Sequence, residues 1–582
     1  MFSNKQIAEV FYEMADVLDI KGDNPFRINA LRRGALIVEG FSREFSEMYK
    51  EDPNSLNNIP GLGEGLRSKA VELIKTGKCK EHIEMLKGFP EGLIDMLRLR
   101  GVGPKKVKLF YEKLGIKDIK SLKKACEKGE IAGLPKMGKK SQTEILNAIS
   151  ETQLFSQKRF LIDSALFDAE SLIEYLKDSS VLKHIQYAGS LRRFQDTIGD
   201  IDILATIKGH DTSLLMNHYL GYPKIFKILS KGDTKSSVIL LSGIQVDLRV
   251  VEDKSFGAAL HYFTGDKQHN IKIRDLAKKK GLKISEYGVF DGEKMVGGVK
   301  EQDIFDAVGL PYIPPELRRN DGEIEYALSN GGIPELIQLS DLRGDLHVHS
   351  TYSDGKYSMM EMAEACFKLG LKYMAFADHS SLIPVTGGMD EVKIQKQWKE
   401  INEINKKFEG LFHVFKSCEV DIRKDGSLDF SDEILSKLDF AIASVHMRYK
   451  ELNRETQTKR VISAISNPFV KILAHPTGRK INERPEIDMD MEAIVKACVD
   501  NDVALEINSN PMRLDLYDKL IVMAKDLGAK FSIDSDSHFP NDFDYLKFGV
   551  GMARRGWLEA SHVINTLPLE KFKSILKKNF NN

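Results

Sequence analysis

Two histidines one residue apart, followed by a carboxylate, give the stretch DLHVHSTYSDG (residues 345–355) the character of a metal site. His347 and His349 are separated by a single residue, and Asp354 lies five residues further on. Imidazole nitrogen and carboxylate oxygen together suit zinc, manganese or iron. A lone histidine is usually an ordinary core or surface residue, so this interpretation depends on whether further ligands follow.

Further ligand-type residues do follow, each at the end of an apolar, strand-like run. The runs YMAFADH, HVFKSCE, FAIASVH, KILAHP and FSIDSDSH supply His379, Glu419, His446, His475, Asp536 and His538. In a parallel barrel the carboxyl ends of the strands meet at one face, where such proteins place their chemistry. Six histidines and three carboxylates at that face can hold up to three ions of Mn²⁺, Zn²⁺ or Fe²⁺. We expect His413 and His562 to be core or surface groups instead.

A second candidate site lies upstream and contains carboxylates without histidine. The run IGDIDILATI places Asp200 and Asp202 two residues apart on a strand, so both point to one face. Asp247, in IQVDLRVV, lies on a second strand that we expect to be adjacent. Three such carboxylates can hold two Mg²⁺ or Mn²⁺ ions, which stabilise the attacking and leaving oxygens of phosphoryl transfer. The preceding GSLRR offers backbone N–H groups, Ser190 and Arg193 to a polyphosphate.

Glycine turns recur in the N-terminal part, as NIPGLGEGLRSKA (58–70), RLRGVGPKKVKLF (98–110) and, more weakly, GLPKMGKKSQTEIL (133–146). Such turns let the peptide N–H groups at the next helix start face outward and attract a phosphate. Residues 60–150 contain 20 Lys plus Arg against 11 Asp plus Glu, which favours a basic DNA-binding module. The residues expected to contact DNA are Gly61, Gly63, Gly101, Gly103, Lys105 and Lys106.

The elements that must position these residues change in character along the chain. Residues 1 to about 150 are predicted to be helical, since NKQIAEVFYEMADVLDI spaces its apolar residues by three and four. Residues 155–312 are mixed, with the strand-like runs IDILATI, SSVILLS and IQVDLRVV. PYIPPELRR (311–319) is a proline-rich break, and strands and helices alternate from 341 onward, which favours an α/β barrel.

Composition excludes several classes of protein. The five cysteines are scattered without a C-x-x-C pair, so neither a disulfide framework nor a zinc ribbon is expected. The N-terminus lacks the apolar run of a signal peptide, and no stretch reaches the roughly 18 apolar residues of a membrane span. The totals of 85 basic and 85 acidic residues do not exclude nucleic acid, because charge can be segregated. We expect a monomer in the reducing cytoplasm.

The motifs AGSLRR, GDID, VDLR and YFTGD, with Asn270 and Arg274 downstream, resemble the family X DNA polymerases, the group of DNA polymerase beta. The resemblance runs from the N-terminal helices to about residue 315. It implies that Asp200, Asp202 and Asp247 bind the metal ions, and that Asp247 activates the primer 3′-hydroxyl. It also implies contacts with the nucleotide or with DNA for Gly189, Ser190, Arg193, Tyr262, Phe263, Gly265, Lys267, Asn270, Arg249 and Arg274.

Five of these positions carry a more specific expectation. Tyr262 and Phe263 would pack on the sugar and reject ribonucleotides by crowding, whereas Asn270 and Arg274 would check base-pair shape from the minor groove. Lys267 stands where the animal enzyme has an acid, and a cation there would strengthen binding of the incoming nucleotide.

The N-terminal module resembles the lyase domain of the same family. Lys69, in GLRSKAVELIKTGK, matches the lysine that attacks a 5′-deoxyribose phosphate to form a Schiff base. A nearby basic position of the family is Gly65 here, so we expect weaker binding of the 5′-phosphate. The alternative is that Lys69 only contacts DNA phosphates.

The histidine-rich part, from about 341 to 575, resembles the polymerase-and-histidinol-phosphatase (PHP) domain, a distorted (β/α)7 barrel. The resemblance implies one metal ion on His347, His349, Glu419 and Asp536. A second ion would share Glu419 with His446 and His475, and a third would use Asp354, His379 and His538. All expected ligand positions are occupied, which favours an active phosphoesterase.

Together the resemblances imply a multidomain protein with helical helix-hairpin-helix domains, an α+β palm and thumb, and a PHP barrel. We expect a lyase-like domain at 1–80, DNA-binding fingers at 81–152, a palm at 153–240, the end of the palm and a thumb at 241–318, a linker at 319–340 and the PHP domain at 341–575.

The predicted function is DNA-directed DNA polymerase that fills short gaps during base excision repair, with 3′–5′ exonuclease activity in the PHP domain. Its partners would be gapped or primer-template DNA and deoxynucleoside triphosphates. One alternative makes the PHP site the main activity, as an abasic-site endonuclease or a phosphatase. Another makes the chain a non-enzymatic scaffold at DNA gaps, which two complete sets of metal ligands argue against.

Overall fold

The protein is described by a computed structural model that covers residues 4–39, 41, 45–59, 61–90, 92–97, 99, 101–155 and 159–576. The chain forms two compact units, residues 1–158 and residues 159–582. Pro60, Arg98 and Arg100, which belong to the glycine-turn motifs, lie outside the described residues. No helix in the described ranges is long and apolar enough to cross a membrane.

Unit 1 is helical, as predicted. Its described α-helices are α1 (Asn4–Lys21), α2 (Pro25–Glu39), α3 (Phe45–Glu51), α4 (Glu64–Thr76), α5 (Lys80–Leu86), α6 (Gly92–Met96), α7 (Pro104–Leu114), α8 (Ile119–Glu127) and α9 (Lys139–Phe155). One apolar core joins α1 to α5, with Phe11 and Phe45 fully buried. A second core joins α6 to α9 around Phe110 and Leu122.

The two stronger glycine turns lead directly into helices α4 and α7. Gly61 and Gly101 have φ values of 81° and 77°, a left-handed conformation that glycine adopts without strain. Gly63 and Gly103 are the N-cap residues of α4 and α7, and a Cβ on either would meet only open space. The glycine pairs therefore form an exposed turn and helix start, as a helix-hairpin-helix requires.

Unit 2 begins with a five-stranded mixed sheet, which we name the palm sheet. Its strands are β2 (Leu182–Tyr187), β4 (Asp200–Ile207), β5 (Ile225–Ser230), β6 (Lys235–Leu240) and β7 (Gln245–Val250), after a short ladder of β1 (Phe160–Leu161) with β3 (Thr197–Ile198). The order is β2-β4-β7-β6-β5, and only β4 and β7 are parallel neighbours. β4 lies inside the sheet and is mostly buried, in keeping with its apolar run.

The helices α10 (Ile162–Lys177), α11 (Gly189–Arg192) and α12 (Ser213–Leu220) accompany the palm sheet. The thumb follows, with α13 (Phe256–Thr264), α14 (Lys267–Lys279), α15 (Gln302–Val308) and an antiparallel sheet of β8 (Leu282–Ser285), β9 (Gly288–Asp291) and β10 (Lys294–Gly297). Buried apolar side chains around Ile273 and Phe305 form the core of the thumb. α16 (Glu323–Asn330) buries Ile324 and Ala327 in that core, so residues 319–340 include a packed helix.

The rest of unit 2 is a parallel barrel. Its strands are β11 (Gly344–Val348), β12 (Tyr373–Phe376), β13 (His413–Lys416), β14 (Glu419–Asp421), β15 (Ala441–Ser444), β16 (Val470–Leu473), β17 (Ala504–Asn508) and β18 (Phe531–Asp534). The helices around it are α17 (Met359–Lys368), α18 (Glu391–Lys407), α19 (Asp432–Leu435), α20 (Arg454–Ile465), α21 (Met491–Asp500), α22 (Asp518–Asp526), α23 (Leu546–Arg555) and α24 (Leu569–Leu576).

β13 and β14 follow each other closely and occupy one strand position, so the described barrel has seven positions. Parallel bridges between His379 and Glu419 and between Val348 and Ser537 connect its two sheets. The predicted (β/α)7 arrangement is confirmed. The palm and the barrel also share one continuous cluster of buried apolar side chains, which extends from Ile162 to Val563.

Candidate active sites

The three polymerase-type aspartates lie on two neighbouring strands of the palm sheet. β4 and β7 run parallel with Asp202 directly opposite Asp247, and Asp200 opposite Gln245. Residues directly opposite each other, or two apart on one strand, share a face of the sheet. The structure therefore brings the three carboxylates together, and the expectation that the strand of Asp247 is adjacent is confirmed.

The electrostatics of this site favour a bound cation. Burial and the nearby charge of Asp200 raise the pKa of Asp202 to about 6. Burial also raises the pKa of Asp200, with a contribution from Asp247. Burial acts in the same direction on Asp247, but hydrogen bonds from its neighbours, Lys235 first, outweigh it and lower the pKa. An all-oxygen set of crowded carboxylates fits Mg²⁺ or Mn²⁺, which would relieve this repulsion.

Lys235 is a contact of the site that the sequence did not reveal. Its Nζ lies 2.9 Å from Oδ2 of Asp247, and Nε2 of Gln245 donates to the other carboxylate oxygen over 2.8 Å. The register of β6 against β7 brings Lys235 to this face of the sheet. No motif in the sequence marks Lys235, because its role depends on pairing between strands.

The turn expected to bind the triphosphate lies against β4. Gly189 has a φ of 63°, and a Cβ there would lie 2.9 Å from Oδ2 of Asp202, so glycine permits the close approach. The N–H of Ala188 donates to the carbonyl oxygen of Asp202 over 2.8 Å. Ser190 therefore directly follows a glycine that lies against the carboxylate of Asp202.

The two arginines of GSLRR have different partners. Arg192 donates to both carboxylate oxygens of Glu301 in the thumb, at 2.8 and 2.9 Å. Arg193 donates from one Nη to the carbonyl oxygen of Thr264, while its buried Nε has no hydrogen-bond partner among the described residues. Burial lowers the pKa of Arg193 to about 10. A half-buried guanidinium with an unused donor suits an anionic ligand.

The remaining polymerase-type positions gather where α13 meets α14. Nδ2 of Asn270 donates to the carbonyl oxygen of Tyr262 over 2.7 Å, and Gly265 leaves the space that this contact needs. The guanidinium of Arg249 lies 4.4 Å from the centre of the Phe263 ring. Arg249 also lies 3.7 Å from Oδ2 of Asp247, which connects the aromatic pair to the carboxylates.

Two predicted residues lie on the exposed side of α14. Lys267 is the first residue of this helix, after the N-cap Asp266, and Arg274 is also exposed. Nε of Arg274 donates to the carbonyl oxygen of Asn270 over 3.3 Å. Both cations are therefore open to a nucleic acid or a nucleotide that approaches the thumb.

The histidine site is organised around Glu419, which is 1% exposed. Oε1 lies 2.9 Å from Nε2 of His475 and 3.2 Å from Nε2 of His446. Oε2 lies 3.0 Å from Nδ1 of His379 and 3.3 Å from Nε2 of His347. A fifth imidazole, that of His349, lies 3.7 Å from Oε2, so one carboxylate is surrounded by histidines from four different strands and the segments that follow them.

Asp354 and Asp536 complete the site. Asp536 lies 3.1 Å from Nε2 of His349, and Asp354 lies 3.2 Å from Nε2 of His538. Within the described chain, three groups have ligand atoms close enough to share an ion: His347, His349 and Asp536; His379, Glu419 and His446; and His349, Asp354, His379 and His538. All nine predicted ligands are brought together.

The composition of all three groups differs from the expected sets. The group of His347, His349 and Asp536 lacks Glu419, which was expected to share that ion. His379 joins Glu419 and His446 where His475 was expected, and His349 joins the group of Asp354. His475 still contacts Glu419, so the second group can include it. The difference arises because the ligands form one contiguous cluster, in which a histidine between two positions can serve either.

The donor set fits transition-metal ions. Buried ring nitrogens of His347, His349 and His379 have no aligned hydrogen-bond partner in the described structure, although carboxylate oxygens lie within 4 Å. Burial raises the pKa of Glu419, but the surrounding histidines, His446 first, outweigh it and hold the pKa well below its usual range. Left-handed φ values of 27° at His475 and 55° at Asp536 indicate backbone strain at ligand positions.

Three further residues of this site were missed in the sequence. Glu506 is fully buried and lies 2.6 Å from Nδ1 of His347, while Asp421 lies 3.0 Å from Nδ1 of His446. Both hold the ring nitrogen that faces away from Glu419, as partners of metal-binding histidines do. Arg513 lies 3.6 Å from Asp536 and has a buried Nη1 without a partner in the described chain. Glu506, in VALEIN, follows an apolar run, a signal that could have identified it.

Lys69 lies in a cavity of unit 1 with a volume of about 420 Å³, beside the first glycine turn. Its Nζ lies 2.8 Å from Oε2 of Glu81, whose other oxygen lies 2.8 Å from Arg27. Nζ also donates to the carbonyl oxygen of Gly65 over 3.3 Å. The amine is therefore held in an ion pair inside a cavity that other basic residues line.

Comparison with known families matches four parts of the chain. Residues 2–79 match the helix-hairpin-helix domain, and residues 93–151 match the SAM-like helix-hairpin-helix tandem. Residues 259–319 match the DNA polymerase beta thumb, and residues 345–510 match the PHP domain. These matches agree with the helical unit, the thumb and the barrel.

Similar proteins include two kinds. The DNA polymerase/3′-5′ exonuclease PolX of Bacillus subtilis (strain 168) is 39% identical over 583 residues, which cover 99% of this chain and 99% of that protein. A probable phosphatase of Thermoanaerobacter sp. (strain X514) is 28% identical over 244 residues, which cover 40% of this chain and 94% of that protein. Because the first likeness extends over both chains almost completely, this chain belongs to the family X DNA polymerases that carry a C-terminal PHP domain.

Proposed function

We propose that the chain is a DNA-directed DNA polymerase that fills short gaps in DNA, and that its PHP domain removes nucleotides from 3′ ends. The observation that carries the first part is the parallel register of β4 and β7, which places Asp202 opposite Asp247 beside the turn of Gly189. The cluster around Glu419 supports the second part.

In the polymerase site, Ser190 and Arg193 would bind the triphosphate, and Asp200, Asp202 and Asp247 would hold Mg²⁺ or Mn²⁺. Asp247 would accept the proton of the primer 3′-hydroxyl, since hydrogen bonds lower its pKa and keep it ionised. The pair Tyr262 and Phe263 would face the sugar. The divalent cations supply charge stabilisation at the attacking and leaving oxygens at both sites.

In the PHP site, up to three ions of Mn²⁺, Zn²⁺ or Fe²⁺ would be held by the nine ligands named above. Glu506 and Asp421 would fix the orientation of His347 and His446. Nη1 of Arg513, which is buried beside Asp536, would bind an oxygen of the scissile phosphate. Arg513 would thus help to orient the DNA end and stabilise the negative charge that develops on the phosphate.

In unit 1, the helix starts after Gly63 and Gly103 would bind DNA phosphates, with Lys105 exposed for this purpose. We also propose the domain boundaries predicted above. Residues 319–340, which include the packed helix α16, would connect the thumb to the PHP domain. All five cysteines are buried free thiols, in keeping with a reducing compartment such as the cytoplasm. We further propose that the chain acts as a monomer.

The test is an assay on a gapped primer-template with a 5′-labelled primer, with and without nucleotides, in Mg²⁺ or Mn²⁺. We expect wild-type protein to extend the primer with nucleotides and to shorten it without them. Asp247→Ala should lower extension by about 10²-fold or more, as loss of a catalytic base does, and leave shortening intact. Glu419→Ala should have the converse effect. Near-normal extension by Asp247→Ala would contradict the assignment.

A second candidate function is a PHP-centred abasic-site endonuclease or phosphatase. The likeness to the probable phosphatase, which this chain matches over 94% of that protein's length, favours it. An internal abasic site and a 3′-phosphate in the same labelled strand separate the possibilities. Cleavage or phosphate release without extension of the primer would support this second candidate.

A further inference from the structure

The turn that is proposed to bind the nucleotide is contacted at three of its residues by the PHP domain. Arg193, Phe194 and Asp196 each contact a PHP residue. These residues lie three to six positions after Ser190 in the chain, whereas their partners lie some 280 to 360 positions further on. The contacts belong to unit 2, and none involves a ligand of the PHP metal site.

The first contact fixes the backbone of Arg193. Nη1 of Arg555, at the end of α23, donates to the carbonyl oxygen of Arg193 over 2.7 Å. The guanidinium of Arg555 is itself held by Asp518 of α22, with Nε at 2.9 Å, and its side chain is 5% exposed. A buried arginine with all of these contacts leaves the carbonyl oxygen of Arg193 little freedom to move.

The second contact fixes the next residue. Phe194 has a φ of 52°, a left-handed conformation that is unusual for an aromatic residue and has to be supported by its surroundings. A Cβ on Gly551 would lie 2.1 Å from Cδ1 of the Phe194 ring, so the ring packs directly on the backbone of α23. Gly551 and Arg555 are four residues apart and lie on the same face of that helix.

The third contact fixes the end of the turn. Nη1 of Arg479 lies 3.1 Å from Oδ2 of Asp196. Arg479 also donates to the carbonyl oxygens of Arg513 and Leu514, over 2.8 and 2.7 Å, so its own position is fixed. The turn is therefore held at three of four successive residues by residues of the PHP domain.

We propose that the face of α23 formed by Gly551 and Arg555 positions the nucleotide-binding turn of the polymerase site. Gly551 and Arg555 are then positioning residues for nucleotide binding, although they belong to the nuclease domain. The inference rests on the proposed function, in which Ser190 and Arg193 bind the triphosphate. Arg193 is the residue through which the effect passes, because its backbone contacts Arg555 and its guanidinium contacts Thr264 of the thumb.

The test measures gap filling by the full-length protein at varied nucleotide concentration. Arg555→Lys keeps a positive charge near Asp518 but loses the planar group that reaches Arg193. We expect the KM for the nucleotide to rise by about tenfold, as for the loss of a charge-assisted hydrogen bond, with a smaller change in kcat. Gly551→Ala should have the same effect, because the methyl group displaces the Phe194 ring.

The matched control is Lys547→Ala, on the same helix. Its Nζ lies 5.2 Å from the centre of the Phe548 ring, so the change leaves the face of Gly551 and Arg555 in place. It should leave the KM for the nucleotide unchanged. Shortening of the primer without nucleotides, and the melting temperature, are measured for all three variants.

The outcomes separate the possibilities. A raised KM with retained nuclease activity in Arg555→Lys, and not in the control, supports the proposal. An unchanged KM in Arg555→Lys overturns it, as does an equal loss of both activities in that variant and in Lys547→Ala. If Gly551→Ala does not fold, Arg555→Lys decides alone. Failure of wild-type protein to fill gaps would instead contradict the proposed polymerase function.

Discussion

At the scale of the residue, the histidine site depends on how the imidazoles are oriented as much as on which ligands are present. Glu506 supports two predicted ligands. One of its oxygens lies 2.6 Å from Nδ1 of His347, and the other accepts a hydrogen bond from the backbone N–H of His475, also over 2.6 Å. Such partners fix the tautomer of a metal-binding histidine and the direction of its ring.

Replacing Glu506 by Gln should therefore weaken the nuclease without removing a ligand. We expect a loss of about 10- to 100-fold in metal affinity or activity, which is typical for partners of metal-binding histidines. The measurement is primer shortening as a function of Mn²⁺ concentration, in which excess metal should restore part of the activity. Glu492→Gln, on the outer helix α21, serves as the control. A wild-type metal dependence for Glu506→Gln would contradict this role.

The ion pair of Lys69 bears on the proposed lyase activity. Attack on a sugar aldehyde requires a free amine, and the contact with Glu81 over 2.8 Å must first break. Glu81→Gln should raise trapping of a Schiff base by borohydride about two- to fivefold, since a partly exposed ion pair is worth up to about 1 kcal/mol. Lys69→Ala should abolish trapping.

Glu84→Gln is the matched control for that experiment, because Glu84 lies on the same helix and its ion pair is with the exposed Lys87. Trapping that persists in Lys69→Ala would show that another amine reacts. In that case Lys69 would be a phosphate-contacting residue, which is the alternative stated for it above.

At the scale of the element, helix α7 shows that neighbouring lysines of one motif have different tasks. Nζ of Lys106 donates to the carbonyl oxygen of Gly101 over 2.7 Å and so stabilises the glycine turn, whereas Lys105 is exposed. The sequence alone assigned both lysines to DNA. The structure adds that changing both together would combine a loss of charge with damage to the turn.

Lys105→Ala alone should therefore report on DNA binding. We expect weaker binding of gapped DNA and a dependence on salt that is lower by about one unit of slope, as for the loss of one phosphate contact. Fluorescence anisotropy at several salt concentrations measures this. Lys113→Ala, at the far end of α7, is the control. An unchanged slope for Lys105→Ala would place this lysine outside the DNA interface, and Lys106→Ala should in addition lower the melting temperature.

Much of the two sites could be predicted because local sequence places their residues. A strand that ends in a ligand-type residue fixes where that residue lies in a parallel barrel, so the nine predicted positions could be placed at one face, and eight of them fall in groups that could hold an ion. Likewise, the alternation of a strand placed Asp200 and Asp202 on one face. Lys235 and Glu506 were missed because their roles arise from pairing with distant segments, and the distribution of histidines among the metal groups depends on distances that no spacing encodes.

At the scale of the whole molecule, the palm and the barrel share one buried apolar cluster, in which Ile203 and Val246 of the palm belong with Leu505 and Ile533 of the barrel. Domains that share a core lose their packing together, because separation would expose apolar surface at a cost of about 25 cal/mol per Å². The contacts of Arg555 and Arg479 with the nucleotide-binding turn also hold the palm and the barrel together.

We therefore expect the palm and the barrel to unfold in a single transition. Native-state hydrogen exchange measures this, since amides of β4 in the palm and of β17 in the barrel should open with the same free energy under denaturant. A fragment that ends at residue 340 should show poorly protected palm amides and bind hydrophobic dyes. Full protection of β4 in that fragment would contradict a shared core.

The shared core also limits how such a protein can change over generations. A recombination event that removed the barrel would leave the apolar side of the palm in water, and it would free the turn that Phe194 anchors on Gly551. Loss of nuclease activity is therefore expected to begin with substitutions of the histidines. The fold of the barrel should be retained, because the palm packs against it. A descendant without metal ligands should still retain Gly551 of α23.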